Sequence, residues 1–304
     1  MKERRGETKR IQGKAKQTFL TVSEPSGLLE FLLGSLPGKS RTTVKSLLAH
    51  HQVSVDHKAV TQFDHPLKPG QQVVVNFSKV QQKSLLKGLK IVFEDPWLIV
   101  VDKAPGLLSI ATDKEKERTA YRILSDSTKK INRKARIFVV HRLDKDASGL
   151  MMFAKSKQIQ EELQGSWQHD VLERTYVVAV EGAVEKDQGT VVSWLKENKA
   201  LNMVSSPTPN GGQRAVTHYK VLRRSQRHTL LEVRLETGRK NQIRIHMQDL
   251  GHPIVGDRKY GSTSSSLNRL ALHARVLSFR HPVTSEVLRF ETPVPGPFLA
   301  LFRG

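Results

Sequence analysis

Between residues 18 and 78 the apolar side chains recur first at helical and then at strand spacing. Leu28, Leu29, Phe31, Leu32 and Leu36 predict one helix, stopped by Pro37-Gly38. Val44, Leu47 and Leu48 predict a second, which Ser40 can cap. Val53–Val55 and residues 73–77 read as short strands, with Lys68-Pro69-Gly70 turning the chain between them. Residues 79–90 are polar and basic without a period, as a linker is. From residue 91 to 304 strand signals become dense. Residues 91–94 and 98–102 bracket an Asp95-Pro96 turn, and helices are expected over 118–128 and 158–168. Further strands are expected over 138–140, 150–154, 174–180, 215–222, 229–236, 270–279 and Val287–Glu291. The alternation from Leu231 to Glu236 is strict, as a half-buried strand requires. Strands in runs with few helices between them predict an α+β fold with a mixed, largely antiparallel sheet, joined to a small N-terminal α/β unit. Residues 205–212 and 261–266 read as loops. A segment from about residue 237 reads as a helix that Gly251 and Pro253 terminate.

Charge narrows the class of partner. Fifty Lys and Arg against 29 Asp and Glu give a net +21 over 304 residues. Such an excess concentrates polyanions and drives their binding through counterion release. Nucleic acid is the leading partner and an anionic membrane surface the competitor. No apolar run approaches the roughly 18 residues of a spanning helix, so no membrane partner is expected. Residues 1–17 carry seven Lys/Arg and two acidic residues with no apolar centre, which reads as a mobile basic tail rather than a signal peptide. That tail is either a solvated leader or an RNA-touching arm. The chain has no cysteine, which excludes disulfides, thiol catalysis and cysteine-based zinc sites. A cytoplasmic location is the expectation.

The most informative stretch is His141-Arg142-Leu143-Asp144-Lys145-Asp146-Ala147-Ser148-Gly149-Leu150, followed by Met151-Met152-Phe153-Ala154-Lys155. A charged loop between two strands presents polar groups at the edge of a rigid sheet. Asp144 sits there among Arg142, Lys145 and, when protonated, His141, and nearby positive charge favours an ionised carboxylate. Read generically, such charges are more often simply solvated. The stretch, however, closely resembles the H-R-L-D-x-x-T-S-G-L-L-x-F-A-K signature of RluA-type pseudouridine synthases. Two further segments follow in that family's order. Glu173-Arg174-Thr175-Tyr176-Val177-Val178-Ala179-Val180-Glu181-Gly182 is similar to its K/R-x-Y-x-A-x-V-x-G strand. Residues 235–246 are similar to L-x-T-G-R-x-H-Q-I-R-x-H. Gly251-His252-Pro253-Ile254-Val255-Gly256-Asp257 and Leu272-His273-Ala274 also look like the family. Two positions depart from it: Ala147 stands where threonine is usual, and Asn241 where histidine is usual.

The resemblance implies a central active-site cleft in which Asp144 is the catalytic aspartate, Arg244 the arginine paired with it and Tyr176 the active-site tyrosine. His141, Arg142 and Arg239 are expected to contact substrate. Residues 18–78 resemble an S4 RNA-binding domain, which would make Lys39, Arg41 and Lys45 phosphate contacts. The implied reaction isomerises uridine in structured RNA. It is redox-neutral and releases nothing, so no cofactor and no metal are expected. The implied partner is RNA, ribosomal before transfer RNA, with no obligate protein partner. The target base must leave its stack to be reached. The alternative reading is a non-catalytic RNA-binding or ribosome-assembly factor of the same fold, which would have no use for an acid, a tyrosine and an arginine together.

Overall fold

The computed structural model describes residues 17–49, 52–56, 58–60, 62–76, 86, 88–113, 115–200, 202–264 and 266–303. The chain divides into two compact units, residues 1–84 and 85–304. The expected tail, apart from Gln17, and residues 79–85 and 87 of the expected linker lie outside the described residues.

In the smaller unit the elements run β1 (Gln17–Thr21), β2 (Ser26–Gly27), α1 (Leu28–Ser35), α2 (Arg41–Ala49), β3 (Val53–Val55), β4 (Lys58–Ala59), β5 (Pro66–Leu67) and β6 (Gln72–Asn76). Four of the strands form an antiparallel sheet in the order β1-β6-β3-β4, and β2 pairs with β5. The apolar stripes of both helices close on this sheet: Leu28, Leu32, Val44 and Leu48 are buried with Val53, Val73 and Val75. Ser40 caps α2 as expected, its Oγ accepting from the Thr43 amide at 3.2 Å. Gly70, at φ 87°, makes the turn before β6. Gln17 belongs to a strand rather than to the tail, because its backbone pairs with Asn76.

The larger unit contains β7 (Leu89–Glu94), β8 (Leu98–Lys103), α3 (Ala120–Ile131), β9 (Phe138–Val139), β10 (Ser148–Ala154), α4 (Lys157–Gly165), α5 (Trp167–Asp170), β11 (Val171–Glu181), β12 (Gln188–Glu197), β13 (Met203–Ser206), β14 (Gln213–Arg224), β15 (His228–Leu235), α6 (Gln242–Asp249), β16 (Leu272–Arg280), β17 (Val287–Glu291) and α7 (Gly296–Ala300). One eleven-stranded sheet runs β13-β12-β14-β15-β11-β16-β10-β8-β7, with β17 also on β16 and β9 on β10. It is the mixed, largely antiparallel sheet expected: among the described pairs only β10 and β16 run parallel. All seven residues of β10 are buried, which explains why Ser-Gly-Leu-Met-Met-Phe-Ala shows no alternation.

Several boundaries differ from the expectation. Leu89 and Lys90 are strand rather than linker, paired with Lys103 and Asp102. The helix expected from 118 starts at Ala120, because Thr119 caps it through its side chain. The helix expected over 158–168 breaks at Ser166, whose hydroxyl donates back to the Glu162 carbonyl. Residues 205 and 206, expected in a loop, close β13 by pairing with β12. The strands β12 and β13 themselves were not expected: only part of β12 is buried, so its small and polar residues carry no strong period. Yet they form the floor under α6, where Leu195, Met203 and Ala215 pack with Ile245. The segment from residue 237 begins its helix only at Gln242. Thr237 is held in the preceding loop, accepting from the Val216 amide at 2.9 Å and donating to Gln242 Oε1 at 2.8 Å.

No described helix is long and apolar enough to cross a membrane.

Candidate active site

The loop of residues 141–147 enters the centre of the sheet at β10. Gly149, at φ 111°, lets this strand press against β16. A Cβ there would stand 2.2 Å from the Ala274 carbonyl oxygen, so only glycine fits. Ala274 in turn pairs with Tyr176 of β11, which sets that tyrosine two strands from the loop. Beneath the loop lies Lys103, with no exposed surface. Its ammonium donates to the carbonyls of Leu107 and Ala147 at 2.7 Å, and to those of Ala104 and Lys145 at 3.1 Å. Burial pushes Lys103 down to about 8, with the charges of Asp146 and Asp144 opposing. Ser109 fixes the loop from its other side, donating to the Leu143 carbonyl at 2.7 Å and accepting from the Leu143 amide at 3.1 Å. With its backbone so held, the loop turns Asp144 into a cleft of about 400 Å³, which Tyr176 and Arg244 also line.

Arg244 comes from α6, and α6 is fastened to the sheet by buried polar side chains. Gln242 donates to the Val216 carbonyl at 2.9 Å. His246 bonds Thr217 at 2.8 Å through Nδ1 and Ser193 at 3.0 Å through Nε2, and burial pushes it down to about 4. From this base Arg244 Nη1 reaches Asp144 Oδ2 at 3.4 Å. That contact is not its principal one. Nε and Nη2 donate to the two oxygens of Asp257 at 2.7 Å each, and the Asp257 side chain is 1% exposed. Burial works against the Arg244 charge, but the bonds and charge of Asp257, and then the charge of Asp144, outweigh it and raise the group above its ordinary value. The guanidinium also lies 4.8 Å from the Tyr260 ring centroid.

Asn241 opens α6 at φ 56°, a left-handed conformation that asparagine tolerates better than most residues. One atom of its amide lies 2.9 and 3.2 Å from the two Asp144 oxygens, and the other lies 2.9 Å from the Tyr260 hydroxyl. An amide oxygen against a carboxylate would be repelled twice. The only contact favouring an oxygen there, Arg244 Nη1 at 3.3 Å, is longer. The nitrogen therefore faces Asp144 and the oxygen accepts from Tyr260. Asp144 is thus held by two side chains of one helix turn, and the position where the family motif departs from histidine has a use.

The other expected residues fall as follows. Tyr176 lines the cleft, and burial raises its phenol above the ordinary range, with Arg174 opposing and Asp144 adding. Arg142 and Arg239 are exposed at the cleft, where Arg239 Nε donates to the Arg214 carbonyl at 3.2 Å. His141 also lines it but is not a third cation beside Asp144. Its Nε2 accepts from the Met152 amide at 3.1 Å, and burial, then Arg174, push it down to about 3. Lys39, Arg41 and Lys45 belong to the smaller unit and are exposed there, with Lys45 Nζ 5.6 Å from the Phe63 ring centroid. Ala147, where threonine is usual, is 1% exposed and packs among Val177, Val178 and Ile243. Its missing hydroxyl orphans nothing: the only buried side-chain polar atoms without a partner among the described residues belong to Ser26 and Arg275. Among the described residues no group of three His, Asp or Glu side chains is placed to hold a metal ion.

Residues 97–249 match the family model of RNA pseudouridylate synthases. The RNA pseudouridine synthase YlyB of Bacillus subtilis is 36% identical over 273 residues, covering 88% of this chain and 89% of that one. The chain belongs to the RluA-type RNA pseudouridine synthases. The synthase is thus an isomerase of uridine in RNA. It is also similar to YhcT of Bacillus subtilis, at 30% identity over 96% of this chain and 98% of that protein. The ribosomal large subunit pseudouridine synthase D of Nitrosomonas europaea is 33% identical, covering 88% of this chain and 81% of its own. Among solved structures, human RNA pseudouridylate synthase domain containing 4 shares the fold, with a TM-score of 0.57 over 69% of this chain and 90% of that one at 24% identity.

Two side chains that hold the candidate site in place were not found from the sequence. Asp257 ends the family-like segment Gly251–Asp257, a signal that assigned it no partner. Lys103 carried none, since its partners are backbone carbonyls that no residue type announces.

Proposed function

We propose that this synthase converts uridine to pseudouridine in ribosomal RNA, with Asp144 as the group that acts on the extruded nucleotide. The observation that carries this reading is the convergence of Asp144, Arg244, Asn241 and Tyr176 in one cleft. The reaction breaks the N1–C1′ bond, turns the base and joins C5 to C1′, moving a proton from C5 to solvent and one onto N1. Asp144 assists the first step, as a nucleophile at C1′ or by taking a ribose proton. Arg244 and Asn241 aim it, Tyr176 packs on the base, and Arg142 fills the place the base leaves in the RNA. His141 closes the wall beneath, and Arg239 meets the strand at the rim.

Residues 18–78 act as an S4-like RNA-binding domain through Lys39, Arg41 and Lys45, and residues 91–304 as the catalytic domain. The exposure of those three cations and the net charge of +21 support this. The ribosomal substrate is favoured by the relatives named for the large ribosomal subunit. Pseudouridine mapping in total RNA from cells with and without the gene tests the reading. One or a few ribosomal sites should disappear, and an Asp144→Asn copy should fail to restore them while still binding the transcript. Restoration by that copy would remove Asp144 from the chemistry.

A further inference from the structure

Arg174 acts on His141 and Tyr176 through its charge and lines the same cleft, but it makes no bond to Asp144, Asn241 or Arg244. It lies on β11 two residues before Tyr176, so the two side chains leave the same face of the strand. Its guanidinium carbon is 5.8 Å from the Trp167 ring centroid, which covers one flat side. Nη2 donates to the Leu235 and Glu236 carbonyls at 3.3 Å each. Nη1 borders Gly238, where a Cβ would stand 2.9 Å from it. Among the described residues no carboxylate lies within ion-pair distance. Glu173 is taken by Arg289 and Thr175, and Glu236 by Arg214 and His218.

A half-buried guanidinium is costly without an anion beside it, and burial does lower Arg174 below its ordinary value. Arg244 stands on the far side of the same reasoning, since its anion is built into the protein. Arg174 is also better prepared than the exposed Arg142 and Arg239. Its stack and its two carbonyl bonds fix the fork before any ligand arrives, so less side-chain freedom is lost on binding. The missing anion must come with the ligand, and a strand of RNA brings one with every nucleotide.

We propose that Arg174 binds the backbone phosphate next to the nucleotide seated at Asp144, and that position 238 is glycine because any side chain there would close the approach to Nη1. This rests on the reading that the cleft receives an RNA uridine, but it can fail separately.

The test is the salt dependence of a large-subunit ribosomal RNA transcript's binding and turnover, with Arg174→Gln and Arg174→Lys beside the unmodified synthase. Each phosphate contact on single-stranded RNA contributes about 0.7 to the slope of log K against log salt. Arg174→Gln should therefore flatten the slope by about 0.7, equivalent to roughly fivefold weaker binding at 0.1 M salt if the two lines meet at 1 M. Arg174→Lys should keep the slope. A purely structural role would weaken binding at every salt concentration and leave the slope alone. The urea midpoint of Arg174→Gln should stay close to that of the unmodified protein, because no protein anion is orphaned and the two carbonyl bonds lost are long ones. An unchanged slope, or a glutamine variant that unfolds, overturns the inference. Absence of pseudouridine with the unmodified synthase would count against the functional reading instead, and the binding slope would still judge Arg174.

Discussion

Replacing Asp257 by alanine tests how the site is held together. The substitution removes two charge-assisted bonds of 2.7 Å and leaves Arg244, 13% exposed, with only the 3.4 Å contact to Asp144 as an ion pair. Losing one partner of a buried pair costs about 3–5 kcal/mol, chiefly because the other charge is stranded. For a unit of this size each kcal/mol shifts the melting temperature by about 2–4 °C, so a fall of roughly 6–20 °C is expected. Tryptophan fluorescence in urea reads this cleanly, since Trp97, Trp167 and Trp194 all belong to the larger unit. Turnover should fall on the order of 100-fold as the freed guanidinium swings away from its place at Asp144. A double variant separates the two effects. Arg244→Met with Asp257→Leu replaces the pair by apolar groups and should regain most of the stability while turnover stays low. A loss below about 1 kcal/mol in Asp257→Ala, with turnover intact, would refute the view that Asp257 anchors Arg244, because it lies under the median effect of an ordinary substitution.

Acid should weaken the fold through three imidazoles, two of them buried and one half-buried. His141, His246 and His273 are pushed down to about 3, 4 and 4, in each case mainly by burial. From pH 6.5 down to about 4 the unfolded chain takes up protons that the folded one refuses, so stability falls with pH by up to about 1.4 kcal/mol per unit for each histidine. Together the three histidines should contribute about 4 kcal/mol per unit to the slope of unfolding free energy near pH 5, and His246→Gln should remove about a third of that contribution; an unaltered slope refutes the assignment. Lys103→Met should remove about 3 kcal/mol by stranding buried carbonyls, and should slow turnover by loosening residues 144–147. Urea unfolding and initial rates on the same transcript check both, and a change within about 0.5 kcal/mol would show that the ammonium is dispensable.

The strands were legible where burial alternates or is continuous. Val287–Glu291 alternates and stands where it was expected, and β15 and β11 differ from expectation by a few residues at their ends. The strands β12 and β13 were illegible because part of their surface stays in water and no face is uniformly apolar. The proposed reactive set came from the motifs, and Arg244 stands 3.4 Å from Asp144 in the cleft. The support of that set was not legible. Lys103 and Asp257 act through partners far along the chain, and the amide of Asn241 gains its purpose only once α6 faces the loop. The His141 charge was misjudged for a related reason, since residue type alone does not reveal an amide donor from Met152.

The parallel join of β10 to β16 links the order of synthesis to the onset of function. Ser148 meets His273 across 125 positions, whereas Asp144 meets Arg244 across 100. A growing polypeptide therefore displays aspartate, tyrosine and arginine before the strand that lies between β10 and β11 in the sheet has emerged. Such distant pairings are the last to form. In order of synthesis, the strand that joins the loop of Asp144 to the strand of Tyr176 therefore comes after all three side chains.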